Sequence, residues 1–134
     1  MKFFNVVLIV DDDDISQFLL QSKLERHSFA RKYHTFGSAK EALQFFEDHK
    51  DKPDELPDLV FLDINMPEMD SWEFLEKYET IISSLSKEGR ICILTSSVFE
   101  RDVKRAKSNP LIDEYLVKPV KDATLHELVE RYSA

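Results

Sequence analysis

The stretch FLDINMPEMD (residues 61–70) places an aspartate, Asp63, directly after an apolar run, and Asn65 and Pro67 follow within four residues. The run that leads into Asp63, DLVFL (58–62), shows no alternation of polar and apolar residues. Such runs favour strands that are covered on both faces of a parallel sheet. The sequence therefore predicts a carboxylate at the end of a buried strand, where a charged group requires ion-pair or hydrogen-bond partners.

Four further stretches are predicted to be strands. VVLIV (6–10) and ICIL (91–94) are short apolar runs rich in β-branched residues. EYLVK (114–118) is weaker and ends at Pro119, which cannot continue a ladder of hydrogen bonds. KYHTF (32–36) alternates between polar and apolar residues, as an edge strand does.

Five helical patterns follow the five strands. The first has an apolar face, and the second begins at the capping box SAKE (38–41). The third begins near Ser71, the fourth runs from about Phe99 to Ser108, and the fifth from about Asp122 to Tyr132. The residues predicted to face inward are Ile15, Phe18, Leu19 and Leu24 in the first helix, Ala42, Leu43, Phe45 and Phe46 in the second, Trp72, Phe74 and Leu75 in the third, and Leu125, Leu128 and Val129 in the fifth. An order of strand and helix repeated five times predicts an α/β fold with a parallel sheet.

The composition limits the possible functions. A chain of 134 residues is the size of one domain, and we expect residues 1–134 to form it without an output domain. The net charge of -8, spread along the chain, argues against direct contact with nucleic acid or an anionic membrane. The lone Cys92 excludes an internal disulfide, and four aspartates after the apolar start argue against a signal peptide. We expect a cytoplasmic protein.

The polar residues that stand out lie at the predicted strand ends, where α/β proteins bind ligands. Asp11 and Asp12 follow the first strand, Asp63 ends the third, Thr95 ends the fourth, and Lys118 ends the fifth. Two carboxylates about 4 Å apart repel by roughly 4 kcal/mol at an effective dielectric constant near 20, so they retain a proton or bind a cation. Hard oxygen ligands favour Mg²⁺. A carboxylate beside a divalent cation, a hydroxyl and an ammonium is a candidate acceptor for a phosphoryl group.

Four motifs together resemble the receiver domain of two-component response regulators, in its single-domain, chemotaxis-receiver-like form. They are VDD (10–12), LDINMPEMD (62–70), LTS (94–96) and YLVKP (115–119). The resemblance covers essentially the entire chain. It implies a flavodoxin-like, doubly wound sheet of five parallel strands in the order 2-1-3-4-5, with five helices.

The resemblance also implies roles for the acidic residues. Asp63 would be the phosphorylated residue and also one of the metal ligands. Asp12 would bind Mg²⁺ directly, Asp11 would act mainly through water, and Asn65 would offer its backbone carbonyl to the metal.

Four further residues have counterparts in the family. Thr95 would bond a phosphoryl oxygen, and Lys118 would pair with both Asp63 and the phosphoryl group. Tyr115 lies where the family has its aromatic switch, so Thr95 and Tyr115 would form the switch pair. The peptide bond before Pro119 is at a position that is commonly cis.

Two departures from the family pattern concern the surroundings of the site. Ser71 stands where the family usually has glycine, and its hydroxyl is placed to cap the third helix, although a positive φ there would be strained. Ser96 replaces the commoner alanine and adds a hydroxyl near the phosphoryl position.

The leading hypothesis is a phosphorylation-controlled binding module. A histidine kinase or histidine phosphotransfer protein would donate the phosphoryl group, and a downstream protein would bind the face formed by helix 4, strand 5 and helix 5. The module would catalyse only its own phosphorylation and dephosphorylation. Two alternatives are an enzyme of the haloacid dehalogenase type, which Asn65 disfavours because that class needs a second acid there, and a receiver-like scaffold that is never phosphorylated.

Overall fold

A computed structural model describes residues 2–64, 71–96 and 100–133. Its strands are β1 (Phe4–Val10), β2 (Ala30–Phe36), β3 (Leu59–Asp63), β4 (Arg90–Thr95) and β5 (Glu114–Val117). Its helices are α1 (Asp14–Arg26), α2 (Ala39–His49), α3 (Ser71–Ile81), α4 (Glu100–Ser108) and α5 (Asp122–Tyr132), and a 3-10 turn, Ile82–Ser84, follows α3. The predicted order of strands and helices is confirmed. Phe99, the predicted start of the fourth helix, lies outside the described residues.

The five strands form one parallel sheet in the order β2-β1-β3-β4-β5, which confirms the flavodoxin-like fold. Val10 of β1 pairs with Leu62 of β3, and Asp63 pairs with Leu94 of β4. The chain leaves β1 in one direction towards β2 and later returns to the other side of β1 as β3. The order of strands therefore reverses between β1 and β3, and a crevice at their carboxyl ends is the expected binding site of such a sheet.

Two apolar cores cover the two faces of the sheet, because successive side chains of a strand point to opposite sides. Leu8 and Val10 of β1 belong to the core beneath α2, α3 and α4. Val7 and Ile9 belong to the core beneath α1 and α5. Cys92 is a free, buried thiol in the second core.

The prediction that Ile15, Phe18 and Leu19 face inward from α1 is wrong, since these side chains are 72%, 69% and 61% exposed. Leu24 is the buried residue of this helix, and Leu20 is partly buried against the same core. The helix thus carries two apolar stripes with helical spacing. Both stripes fit the period of 3.6 residues, so periodicity did not decide which of them packs on the sheet.

The inward faces predicted for α2, α3 and α5 are confirmed. Ser38 caps α2, and its hydroxyl accepts a hydrogen bond from the backbone N–H of Glu41 at 3.2 Å. Trp72 and Phe74 are buried in α3. None of the helices within residues 2–64, 71–96 and 100–133 combines the length and the apolar character that a membrane crossing requires.

Candidate functional site

Three aspartates converge at the carboxyl ends of β1 and β3. Asp11 and Asp12 follow β1, and Asp63 is the last residue of β3. Because β1 and β3 are parallel neighbours, one carboxylate oxygen of each aspartate lies within 4.8 Å of the others. The structure thus brings Asp63 together with an adjacent pair, Asp11 and Asp12, that is far from it in the sequence, and we call these three residues the acidic cluster.

Asp11 is the most buried member of the acidic cluster, with 3% of its surface exposed. Burial alone would raise the pKa of Asp11, but hydrogen bonds from Lys118, from the backbone N–H of Asp13 and from Ser16 outweigh it and lower the pKa below its usual 3.8. The Asp13 N–H donates to Oδ1 at 2.9 Å, and the Lys118 ammonium donates to Oδ2 at 2.9 Å. Asp11 is therefore ionised at neutral pH, and both of its oxygens have protein partners.

Lys118 brings a positive charge from the end of β5 into the same crevice. Its backbone N–H donates to the carbonyl of Thr95 at 2.7 Å, which anchors the residue to β4. Its ammonium lies 3.9 Å from Oδ1 of Asp63, a longer separation than its 2.9 Å bond to Asp11. The expected pair with Asp63 is present as an ion pair, and the Lys118–Pro119 peptide bond is cis as the resemblance implied.

Ser16 is a site residue that sequence reasoning missed. Asp13 caps α1 by accepting hydrogen bonds from the N–H groups of Ile15 and Ser16 at 2.9 and 3.1 Å. This first turn directs the Ser16 hydroxyl towards Lys118, whose ammonium donates to Oγ at 3.0 Å. The available signal was a small polar residue in the first turn of a helix that directly follows strand-end acids.

The backbone that follows Asp63 is held from two sides. The N–H of Ile64 donates to the carbonyl of Leu94 at 3.0 Å, and the Ile64 carbonyl accepts a hydrogen bond from the Ser71 hydroxyl at 2.8 Å. Among the described residues only Ser28 is a non-glycine with positive φ, so the strain considered for Ser71 is absent. Asn65 lies outside the described residues, and its carbonyl as a metal ligand stays a prediction.

Thr95 and Tyr115 are in direct contact, with a hydrogen bond between their side chains. Thr95 is fully buried, whereas Tyr115 is half-buried against the core beneath α2, α3 and α4. Burial raises the pKa of the Tyr115 hydroxyl, and the bond with Thr95 acts in the opposite direction. The two residues that the resemblance assigns to the switch are therefore in contact, and their response to a phosphoryl group stays a prediction.

A cavity of about 590 Å³ opens above the acidic cluster. The residues that line it are Asp11, Asp12, Asp13, Ser16, Asp63, Ser96 and Lys118. Carboxylate oxygens dominate this set, and it includes neither histidine nor cysteine, so its chemistry fits Mg²⁺ rather than a soft metal. Ser96 adds the hydroxyl that the sequence placed here.

Comparisons with known protein sequences agree with this architecture. The family model of the response regulator receiver domain matches residues 7–130. An uncharacterised 14.6 kDa protein of Leptolyngbya boryana is 32% identical over 127 residues, which cover 94% of this chain and 88% of that protein. The two-component response regulator ORR1 of Oryza sativa subsp. japonica is 26% identical over 124 residues, and the match spans 91% of this chain but only about half, 52%, of the rice protein.

A solved structure has the same fold. A two-component response regulator from Cytophaga hutchinsonii superimposes with a TM-score of 0.88, and the match covers 98% of both chains. The sequence identity of 24% limits this likeness to the fold.

Proposed function

The chain belongs to the response regulator receiver domain family, and we propose that its Asp63 accepts a phosphoryl group with Mg²⁺ and thereby switches protein contacts. Receiver domains of this family are signalling modules, and they interact with histidine kinases or phosphotransfer proteins. The observation that supports the proposal best is the acidic cluster, with three carboxylates within 4.8 Å and the Lys118 ammonium beside them.

The proposed reaction transfers a phosphoryl group from a phosphohistidine of the donor protein to Asp63. A carboxylate oxygen of Asp63 forms the new bond to phosphorus, while the bond from phosphorus to the donor nitrogen breaks and its electron pair stays on the imidazole. Lys118, 3.9 Å from Oδ1 of Asp63, lies close enough to offset negative charge on the transferred group.

The acidic cluster supplies oxygen ligands for Mg²⁺. Asp12 is exposed to the cavity and is our proposed direct ligand. Asp11 has both oxygens engaged by protein donors, which suits contact with the metal through water. When bound, Mg²⁺ supplies positive charge that stabilises the phosphoryl oxygens.

The proposed switch starts from the bond between Thr95 and Tyr115. Once Asp63 carries a phosphoryl group, the Thr95 hydroxyl bonds a phosphoryl oxygen and releases its bond with Tyr115. Tyr115 then settles further inward, which favours the active form of the surface made by α4, β5 and α5. Both forms exist before phosphorylation, and the modification changes their ratio.

A test of the acceptor uses acetyl phosphate with Mg²⁺ and mass spectrometry of the intact protein. We expect the wild type to gain one phosphoryl group and Asp63→Ala to gain none. Asp54→Ala, which changes an exposed aspartate outside the cavity, is the matched control and should be labelled like the wild type. Undiminished labelling of Asp63→Ala would refute the assignment.

A further inference from the structure

The residue after Asp63 has both of its backbone polar groups bonded inside the protein. Ile64 is 1% exposed, its N–H donates to Leu94 of β4, and its carbonyl accepts the Ser71 hydroxyl. Ser71 is the first residue of α3 and is itself fully buried. The end of β3 is therefore tied on one side to β4 and on the other to α3.

We propose that Ser71 is a positioning residue, which holds the backbone beside Asp63 so that its carboxylate stays in the acidic cluster. This inference rests on the proposed function, because it concerns the metal and phosphoryl chemistry of that same cluster. The hydrogen bond from Ser71 to Ile64 depends on serine at this position. The glycine that the family usually has there has no hydroxyl to donate. Ser71 acts through Ile64 and Asp63 and is not placed among the residues that line the cavity.

Ser71 can hold the strand end because the first turn of α3 is itself fixed. The neighbouring Trp72 is 8% exposed, and the guanidinium of Arg105 on α4 lies 4.4 Å above its ring centroid. Arg105 and the core together restrain the turn that carries Ser71. The hydroxyl thus donates from the first turn of α3 to the carbonyl of a residue that is 1% exposed, and a buried polar group that loses its partner is costly.

The position of Asp63 matters because a displacement of its carboxylate changes its distances to the other charged groups of the site. Its carboxylate lies within 4.8 Å of those of Asp11 and Asp12, and 3.9 Å from the Lys118 ammonium. Groups that bind a ligand together must be held within about 0.5 Å of the productive geometry. Loss of the Ser71 bond should therefore weaken Mg²⁺ binding, even though Ser71 is not a ligand.

The test measures the dissociation constant of Mg²⁺ by isothermal titration calorimetry and the melting temperature of each variant in the absence of metal. We expect Ser71→Ala to weaken Mg²⁺ binding about five-fold, the effect of one neutral hydrogen bond. Ser71→Thr keeps the hydroxyl and should restore binding to near the wild-type value. The matched control is Ser84→Ala, which removes a comparable bond, from Ser84 Oγ to the carbonyl of Ile81 at 2.7 Å, on an exposed turn.

The outcomes separate positioning from simple structural support. A lower melting temperature for Ser71→Ala with an unchanged Mg²⁺ affinity would overturn the inference and leave the proposed function intact. A wild type that binds no Mg²⁺ would overturn both. If Ser71→Ala does not fold, Ser71→Gly removes the same hydroxyl and introduces the residue that the family usually has there, and its Mg²⁺ affinity decides the question in the same way.

Discussion

Lys118 lies near two carboxylates at unequal distances, and the nearer carboxylate is the more buried. Asp11 is the nearer partner, at 2.9 Å, and only 4% of its side chain is exposed, compared with 14% for Asp63. A buried carboxylate has less contact with water, so it depends more on a cation and on hydrogen bonds. The lysine therefore stabilises Asp11 in the resting protein while it stays within reach of the proposed acceptor.

We predict that Lys118→Met lowers the free energy of unfolding by about 2 kcal/mol at pH 7 in metal-free buffer, because Asp11 loses its cation. The folded-state pKa of Asp11 in the wild type is lowered below 3.8. The stabilisation is therefore present above the unfolded-state pKa and is lost as the pH falls through the folded-state pKa. Urea unfolding at pH 7 and near pH 3 should show a smaller difference between the two proteins at the lower pH.

Lys32→Met is the control for that measurement. It breaks the exposed pair between Lys32 and Glu55, in which 51% and 39% of the side chains are exposed. Exposed ion pairs contribute little to the free energy of unfolding, so the stability of this variant should stay close to that of the wild type at pH 7. An equal loss of stability in both variants would show that burial of Asp11 is not the cause.

The sequence predicted the charged residues of the site better than their hydroxyl partners. Asp11, Asp12, Asp63 and Lys118 are found where the strands end, and an apolar run shows where a strand ends. The contacts of Ser16 and Ser71 depend on how the first turns of α1 and α3 are rotated about their axes. That rotation is set by tertiary packing, which a one-dimensional pattern does not contain.

At the level of elements, the parallel strands were the most predictable, because continuous burial on two faces leaves a continuous apolar run. The starts of two strands were less predictable, and β1 begins at Phe4, two residues before the predicted VVLIV. β2 begins at Ala30, two residues before the predicted KYHTF, because its first residue pairs with Phe4 of β1. Pairing with a distant strand extended the ladder through Arg31, a residue with no local preference for a strand.

Helix α1 offers two leucines that test the corrected packing. Leu24 is fully buried and Leu19 is 61% exposed. We predict that Leu24→Ala costs about 2 to 5 kcal/mol of stability, because it leaves a cavity in the core beneath α1 and α5. Leu19→Ala removes the same atoms from an exposed face and should change stability by no more than about 0.5 kcal/mol.

Urea unfolding of both variants, compared with the wild type, decides this prediction. The residue type and the helix are the same, so differences in helix propensity cancel between the two substitutions. Similar losses of stability for Leu19→Ala and Leu24→Ala would mean that the stripe of Ile15, Phe18 and Leu19 is buried in solution.

For the whole molecule, the fold class followed from the alternation of strands and helices, but the strand order 2-1-3-4-5 came from the family resemblance. Apolar runs show that strands are buried and do not show which strands pair. The acidic cluster is a second property of the whole, since it exists only because β1 and β3 are neighbours. It places three like charges together, so the arrangement that suits function opposes stability when no metal is bound.

Mg²⁺ should therefore stabilise the whole protein, and its removal should be measurable as a loss of stability. At a concentration ten times its dissociation constant, Mg²⁺ is expected to raise the free energy of unfolding by about 1.4 kcal/mol. Thermal unfolding with Mg²⁺, with EDTA, and with NaCl at matched ionic strength separates metal binding from screening.

Asp12→Asn relieves the repulsion among the three carboxylates and removes a proposed ligand. This variant should be at least as stable as the wild type in EDTA, and Mg²⁺ should add little to its stability. Asp54→Asn lies outside the acidic cluster and should respond like the wild type, whereas a wild type indifferent to Mg²⁺ would contradict the metal assignment.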